Sequence, residues 1–136
     1  MAWLPDQIDR PEVLAEVHQV FEAYERALMR NDVDALNAFF WHDTRTTRYG
    51  IADRQLGIEE LVAFRAATPA PGFTRTLHGL RIVAFGPDLA MAQVEFLRSD
   101  TPLRGFQTQT WARLAAGPRG WRIVAAHVSM TPFKPD

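Results

Sequence analysis

Two arginines share one short stretch, T-R-T-T-R-Y-G, running from Thr44 to Gly50. Thr and Tyr suit a strand. On a regular strand Thr44, Thr46 and Arg48 share one face, and Arg45, Thr47 and Tyr49 share the other. Neither face is apolar, so this strand does not read as a wall of the core. A guanidinium can grip a carboxylate through two parallel hydrogen bonds, or it can snorkel at a sheet edge with no ligand at all. Tyr24 is the second candidate. A tyrosine on an apolar helix face is a core residue with its hydroxyl tied to backbone, or a neutral donor to a ligand. Gln107, Gln109 and Trp111 alternate along F-Q-T-Q-T-W, and Ile123, Ala125, His127 and Ser129 alternate along R-I-V-A-A-H-V-S. Polar Gln107, Gln109 and His127 on late strands either satisfy one another across a sheet or read an amide. His18, His42 and His78 carry less signal.

Other chemistries lack their signatures. There is no H-E-x-x-H, no G-x-S-x-G and no P-loop. His42 and Asp43 are too isolated for a metal site, and His127 with Ser129 lacks the setting of a serine nucleophile. The chain has no cysteine, which removes disulfides, thiolate-bound zinc and a thiol nucleophile. Its net charge of −1 argues against a nucleic-acid or anionic-membrane surface. Lys134 is the only lysine among 15 basic residues. Codon bias explains that, although arginine also suits carboxylate recognition. M-A-W-L-P-D-Q-I-D-R has neither the basic start nor the long apolar run of a signal peptide. No apolar stretch approaches a membrane span. A cytoplasmic location is the default expectation.

The elements that must position these residues follow from periodicity. Pro11 starts a helix whose stripe is Leu14, Val17, Phe21, Tyr24 and Leu28. Asn31-Asp32 ends it, and Asp32–Trp41 predicts a second helix with Asp32 or Asp34 near the cap. Ile51–Leu56 is a polar turn or short strand. Gly57–Ala67 predicts a third helix, with acids in its first turn. Strands follow at Thr74–Phe85, Leu89–Arg98, Arg104–Ala115 and Trp121–Met130, separated by Gly, Pro, Asp and Ser turns. Helices first and strands afterward predict one α+β domain over residues 1–136, its helices on one face of a mostly antiparallel sheet.

F-F-W-H-D-T-R-T-T-R-Y-G-I-A-D, L-G-I-E-E-L-V-A-F-R-A-A-T-P, G-F-Q-T-Q-T-W-A-R-L and W-R-I-V-A-A-H-V-S together resemble the AtzH-like branch of the SnoaL-like, nuclear-transport-factor-two-like (NTF2-like) superfamily. The similarity runs from about Leu14 to Met130. The W-R-I-V-A-A-H-V-S ending is shared broadly by such proteins. The W-H-D-T-R-T-T-R-Y-G and A-F-R-A-A-T-P segments are more telling. The resemblance implies a cone-shaped (cystatin-like) fold, with three N-terminal helices on a curved mixed sheet and a pocket between the long first helix and the concave face. It implies an enzyme of cyanuric-acid or oxalurate breakdown that uses no cofactor and removes carbon dioxide from a dicarboxylated urea. Arg48 would clamp a carboxylate in that pocket, and Tyr24 would polarise the carbonyl or protonate the leaving nitrogen. Arg65, in A-F-R-A-A, is then a second anion contact or an exposed helix arginine.

Two alternatives stand beside this reading. One is a non-catalytic protein that binds the same small anion and assists an amidohydrolase. The other is an isomerase like ketosteroid isomerase, which needs a carboxylate base in an apolar cavity; Asp43 and Glu95 are the candidates. A homodimer or homotetramer is expected by resemblance. Trp111, Trp121 and Phe85 offer apolar material for such a contact or for the core.

Overall fold

The computed structural model describes residues 2–134, so residues 1, 135 and 136 of the expected domain lie outside it. Helix α1 spans Pro11–Arg30. Its proline sits where a missing N–H is harmless. It ends at Asn31, which takes the left-handed conformation, φ 51° and ψ 44°. Helix α2, Val33–Phe39, is capped by Asp32, whose Oδ1 accepts the Ala35 N–H at 3.2 Å. Strands β1, Thr47–Tyr49, and β2, Arg54–Leu56, precede α3, Ile58–Ala67. The meander follows as β3, Arg75–Phe85; β4, Leu89–Arg98; β5, Arg104–Arg113; and β6, Trp121–Thr131. The result is α+β with three α-helices on a mixed sheet of six strands, ordered β2-β1-β6-β5-β4-β3. The α+β expectation holds.

The long strands lie within two residues of their expected bounds. The Thr44–Gly50 stretch is different: only Thr47–Tyr49 is strand. It pairs antiparallel with β2 and parallel with β6, so it is held from both sides. Thr46, just before it, is buried and donates its hydroxyl to Trp41 O at 2.6 Å.

Helix α1 buries Val13, Val17, Val20, Phe21, Tyr24 and Ala27. Opposite them, the concave sheet face contributes Ala90, Ala92, Val94, Trp111 and Ile123 to one core. Alanines beneath the helix leave room for the large rings of Phe21 and Trp111. Trp111 and Trp121 are therefore core residues rather than outer-face material, while Phe85 is half-buried against Trp3.

A bulge in β6 re-aims side chains. Thr110 faces Ala125 and Trp111 faces Ile123, which leaves Val124 as an extra residue. Ile123 and Ala126 both point inward, and His127 is exposed. The expected shared face of Ile123, Ala125, His127 and Ser129 is thus broken. Among the described residues no helix is long and apolar enough to cross a membrane.

Candidate functional site

A cavity of about 290 Å³ opens between α1, α3 and the concave face of the sheet. Tyr24, Arg48, Arg65, Gln107 and Gln109 all line it. The segment after α3, with Pro69, Pro71 and Phe73, forms part of its rim, and Phe64 and Phe96 supply apolar wall.

The Tyr24 ring is fixed edge-on against Phe39 and Phe40, with centroids 5.7 and 6.1 Å away. Its hydroxyl accepts from Arg65 Nη2 at 2.9 Å. Among the described residues nothing accepts the phenol's own proton. Arg65 comes from α3 and is only 5% exposed. Its Nε is buried without a hydrogen-bond partner among the described residues. No carboxylate there pairs with it either. The expectation of an exposed helix arginine is therefore ruled out, and a buried cation with no counter-ion is costly.

Arg48 is held differently. Its Nη1 donates to Asp53 Oδ1 at 2.7 Å and to Gln55 Oε1 at 2.9 Å. The guanidinium carbon stands 4.8 Å from the Phe64 ring centroid. Gln55 Nε2 completes the triad by donating to Asp53 Oδ1 at 2.9 Å. The backbone makes this possible: the Gly50 N–H bonds Asp53 O at 2.9 Å, and the returning chain sets Gln55 opposite Arg48. A Cβ on Gly50 would lie 2.2 Å from the Asp53 carboxylate, so only glycine leaves that carboxylate its place.

The floor carries two more arginines. Arg75 pairs with Glu25, stands over Phe96 at 4.5 Å and donates to Gln107 Oε1 at 3.2 Å. Gln107 Nε2 is left buried and without a partner among the described residues. Arg98 lies 3.7 Å from the Phe73 centroid and pairs with Asp100, whose carboxyl is held below the usual carboxylate range by the hydrogen bond from Arg98. Gln109 Oε1 accepts the Trp111 indole N–H at 3.1 Å, so part of its role is structural. Of four arginines on the cavity, three have an acid and Arg65 has none among the described residues.

Gly105 protects this floor. A Cβ there would sit 2.1 Å from the Phe96 ring. Gly105→Ala should therefore force Phe96 off its seat and cost about 2 kcal/mol. Urea unfolding checks this, and an unchanged midpoint would mean that Phe96 relocates freely.

The other candidates lie elsewhere. His127 does not line the cavity, which corrects the substrate-binding expectation for it. It is exposed on the opposite face, edge-on to Tyr49 at 5.7 Å. The reason is the bulge at Val124, which shifts the alternation by one residue. Arg45 is outside too, bonded to Asp43 through Nε at 2.8 Å. That hydrogen bond lowers the Asp43 carboxyl to about 2. Glu95 binds Arg104 and is also absent from the cavity lining. Neither proposed isomerase base is therefore in place. Asp53, Gln55, Arg75 and Arg98 were not anticipated. Only Asp53 and Gln55 left a trace, as polar residues in a turn that folds back on Arg48.

A model of the AtzH-like family matches residues 6–133. The chain belongs to the AtzH-like family. Solved structures agree on the fold of this AtzH-like protein. A Pectobacterium atrosepticum protein of unknown function is 46% identical, with a TM-score of 0.90 over 96% of this chain and 100% of its own. A cystatin-like fold protein from Burkholderia xenovorans is 45% identical, with a TM-score of 0.88 over 93% of this chain and 98% of its own. The calcium/calmodulin-dependent kinase (CaMKII) hub of S. rosetta, 23% identical, shares the fold with a TM-score of 0.71 over 86% of this chain and 95% of its own. No curated protein matches. Among the described residues there is no cluster of three or more side chains suited to a metal ion.

Proposed function

We propose that this AtzH-like protein is a small enzyme of nitrogen catabolism that acts on a carboxylated urea or ureido acid, of the dicarboxyurea type, and releases carbon dioxide without a cofactor. The observation that carries this reading is the Tyr24–Arg65 pair. A phenol with an uncommitted proton sits beside a buried cation that lacks an acid among the described residues.

The substrate carboxylate binds at Arg65 and Gln107, where two buried N–H groups, Nε and Nε2, have no partner among the described residues. The carboxylate role expected of Arg48 thus passes largely to Arg65. Tyr24 then delivers its hydroxyl proton to the nitrogen that bears the carboxylate. The C–N bond breaks, its electron pair stays on nitrogen, and the carboxylate leaves as carbon dioxide. The phenolate oxygen formed at Tyr24 is stabilised by Arg65 Nη2, already 2.9 Å away. Water returns the proton. The net change is an N-carboxylate plus one proton going to an amine plus carbon dioxide.

A second reading shares the pocket: an accessory protein that binds the anion for a neighbouring amidohydrolase. Three arginines fixed by their acids support it, because they hold the pocket around Arg65 in a set shape that binding does not have to rearrange. Stopped-flow measurement of carbon dioxide release from dicarboxyurea separates the two. Acceleration well above the spontaneous rate is expected. A rate equal to the spontaneous one removes the enzyme and leaves the binder. The same reading places the protein in the cytoplasm as a homodimer or homotetramer joined through the convex face, where Tyr49 is exposed.

A further inference from the structure

We infer that Arg75 is a positioning residue: locked by Glu25, it turns the Gln107 amide so that its N–H groups face the cavity, and the cavity thereby selects a carboxylate over a carboxamide of the same shape. This rests on the reading that the cavity is the substrate site, and it assigns the residue that sets the hydrogen-bond polarity of that site.

Gln107 sits on β5 between Val94 of β4 and Val128 of β6, and it is only 4% exposed. Its amide is nearly symmetric in shape, but one end accepts and the other donates. Unheld, it could turn either end to a ligand. A guanidinium only donates, so the end that meets Arg75 Nη2 at 3.2 Å has to be Oε1. Gln107 lines the cavity, and its Nε2, the end turned away from Arg75, is buried with no partner among the described residues. Arg75 is itself fixed. Its Nε donates to Glu25 Oε2 at 2.7 Å, its Nη2 also meets Glu25 Oε1, and its guanidinium carbon lies 4.5 Å from the Phe96 centroid. Arg75 belongs to β3 and Glu25 to α1, so the helix that carries Tyr24 also holds the orientation of the amide.

A carboxylate and a carboxamide have nearly the same size, so packing alone separates them poorly. Polarity separates them well. A carboxylate has only acceptors, and it can satisfy both Gln107 Nε2 and Arg65 Nε. A carboxamide presents its oxygen to one of these donors and sets its own N–H against the other, which leaves buried N–H groups unpaired. Either carboxylate of a dicarboxylated urea meets the requirement. The corresponding terminal amide does not.

Malonamate and malonamide test this, because they share a skeleton and differ by a carboxylate against a carboxamide. Titration calorimetry on the wild type should show malonamate binding at least about tenfold tighter. Glu25→Leu combined with Arg75→Met removes both charges together, and a fold tolerates the exchange of a buried ion pair for apolar side chains. The Gln107 amide is then free to turn. Malonamide should bind about tenfold tighter than it does to the wild type, while malonamate changes by less than about threefold. Glu25→Gln with Arg75→Met provides the same comparison should the first pair not fold. A merely structural Arg75 would weaken both probes alike. That result, an unchanged ratio, or a wild type that does not prefer malonamate overturns the inference. The carbon dioxide assay reads separately: a preference that the paired substitution relaxes, without turnover, removes the decarboxylase and keeps the positioning role, and turnover with an unmoved ratio does the reverse.

Discussion

Arg65→Met is expected to stabilise the free protein and to abolish anion binding at the same time. The wild-type guanidinium is nearly sequestered from water and bonds the Tyr24 hydroxyl, but it has no carboxylate among the described residues. Its burial is a cost that the empty pocket does not offset. Methionine fills similar space with no charge, so a gain of about 1–3 kcal/mol is expected despite the lost hydrogen bond to Tyr24. Binding moves the other way. Removing the cation from a buried, charge-assisted contact should weaken a small carboxylate by about 100-fold. Thermal unfolding with and without malonamate reads both effects on one sample. A residue kept for structure would give a less stable variant whose ligand still shifts the midpoint. That pattern would remove Arg65 from the site.

The sequence exposes the parts of this arrangement that follow a simple period. Tyr24 lies on a helical stripe, and Gln107 and Gln109 alternate with outward residues on a regular strand, so their direction could be read directly. His127 could not. One inserted residue at Val124 reverses the face of everything beyond it, and a bulge leaves no mark in composition. Arg65 was ambiguous for another reason. Helix α3 buries only Leu61 and Arg65, so no apolar stripe marks its inner face. Arg75 shows a further limit. Its partner Glu25 is fifty positions earlier, and nothing local couples the two.

Those failures share one cause. The site is polar inside a fold read through apolar periodicity, and its charges are settled by long-range pairs. The order β2-β1-β6 joins the hairpin that carries Arg48 to the last strand, which closes the cavity with residues far apart in the chain. The parallel β1–β6 contact is invisible to a reading that recognises hairpins and meanders, because it needs the whole sheet between its partners. Family resemblance supplied the cone and the importance of Arg48. The pairing of Arg48 with Asp53, and the lack of an acid at Arg65 among the described residues, came only from the folded structure.

Tyr24→Phe separates chemistry from binding. The hydroxyl accepts from Arg65 Nη2 and has no acceptor for its own proton among the described residues, so the substitution removes the proton donor and leaves the ring in its aromatic seat. Turnover of dicarboxyurea should fall by about 100-fold or more, as for loss of a general acid. KM should change by less than about threefold, because an interaction used in the transition state leaves ground-state binding nearly intact. Arg65 Nη2 then lacks its partner in the empty protein, at a cost of about 1–3 kcal/mol in stability. The carboxylate is seated at Arg65 Nε and Gln107 Nε2 rather than at Nη2, so malonamate should raise the melting temperature of Tyr24→Phe about as much as that of the wild type. The competing view, in which Tyr24 only orients Arg65, predicts a large rise in KM with kcat nearly unchanged. Steady-state kinetics of carbon dioxide release decides between them.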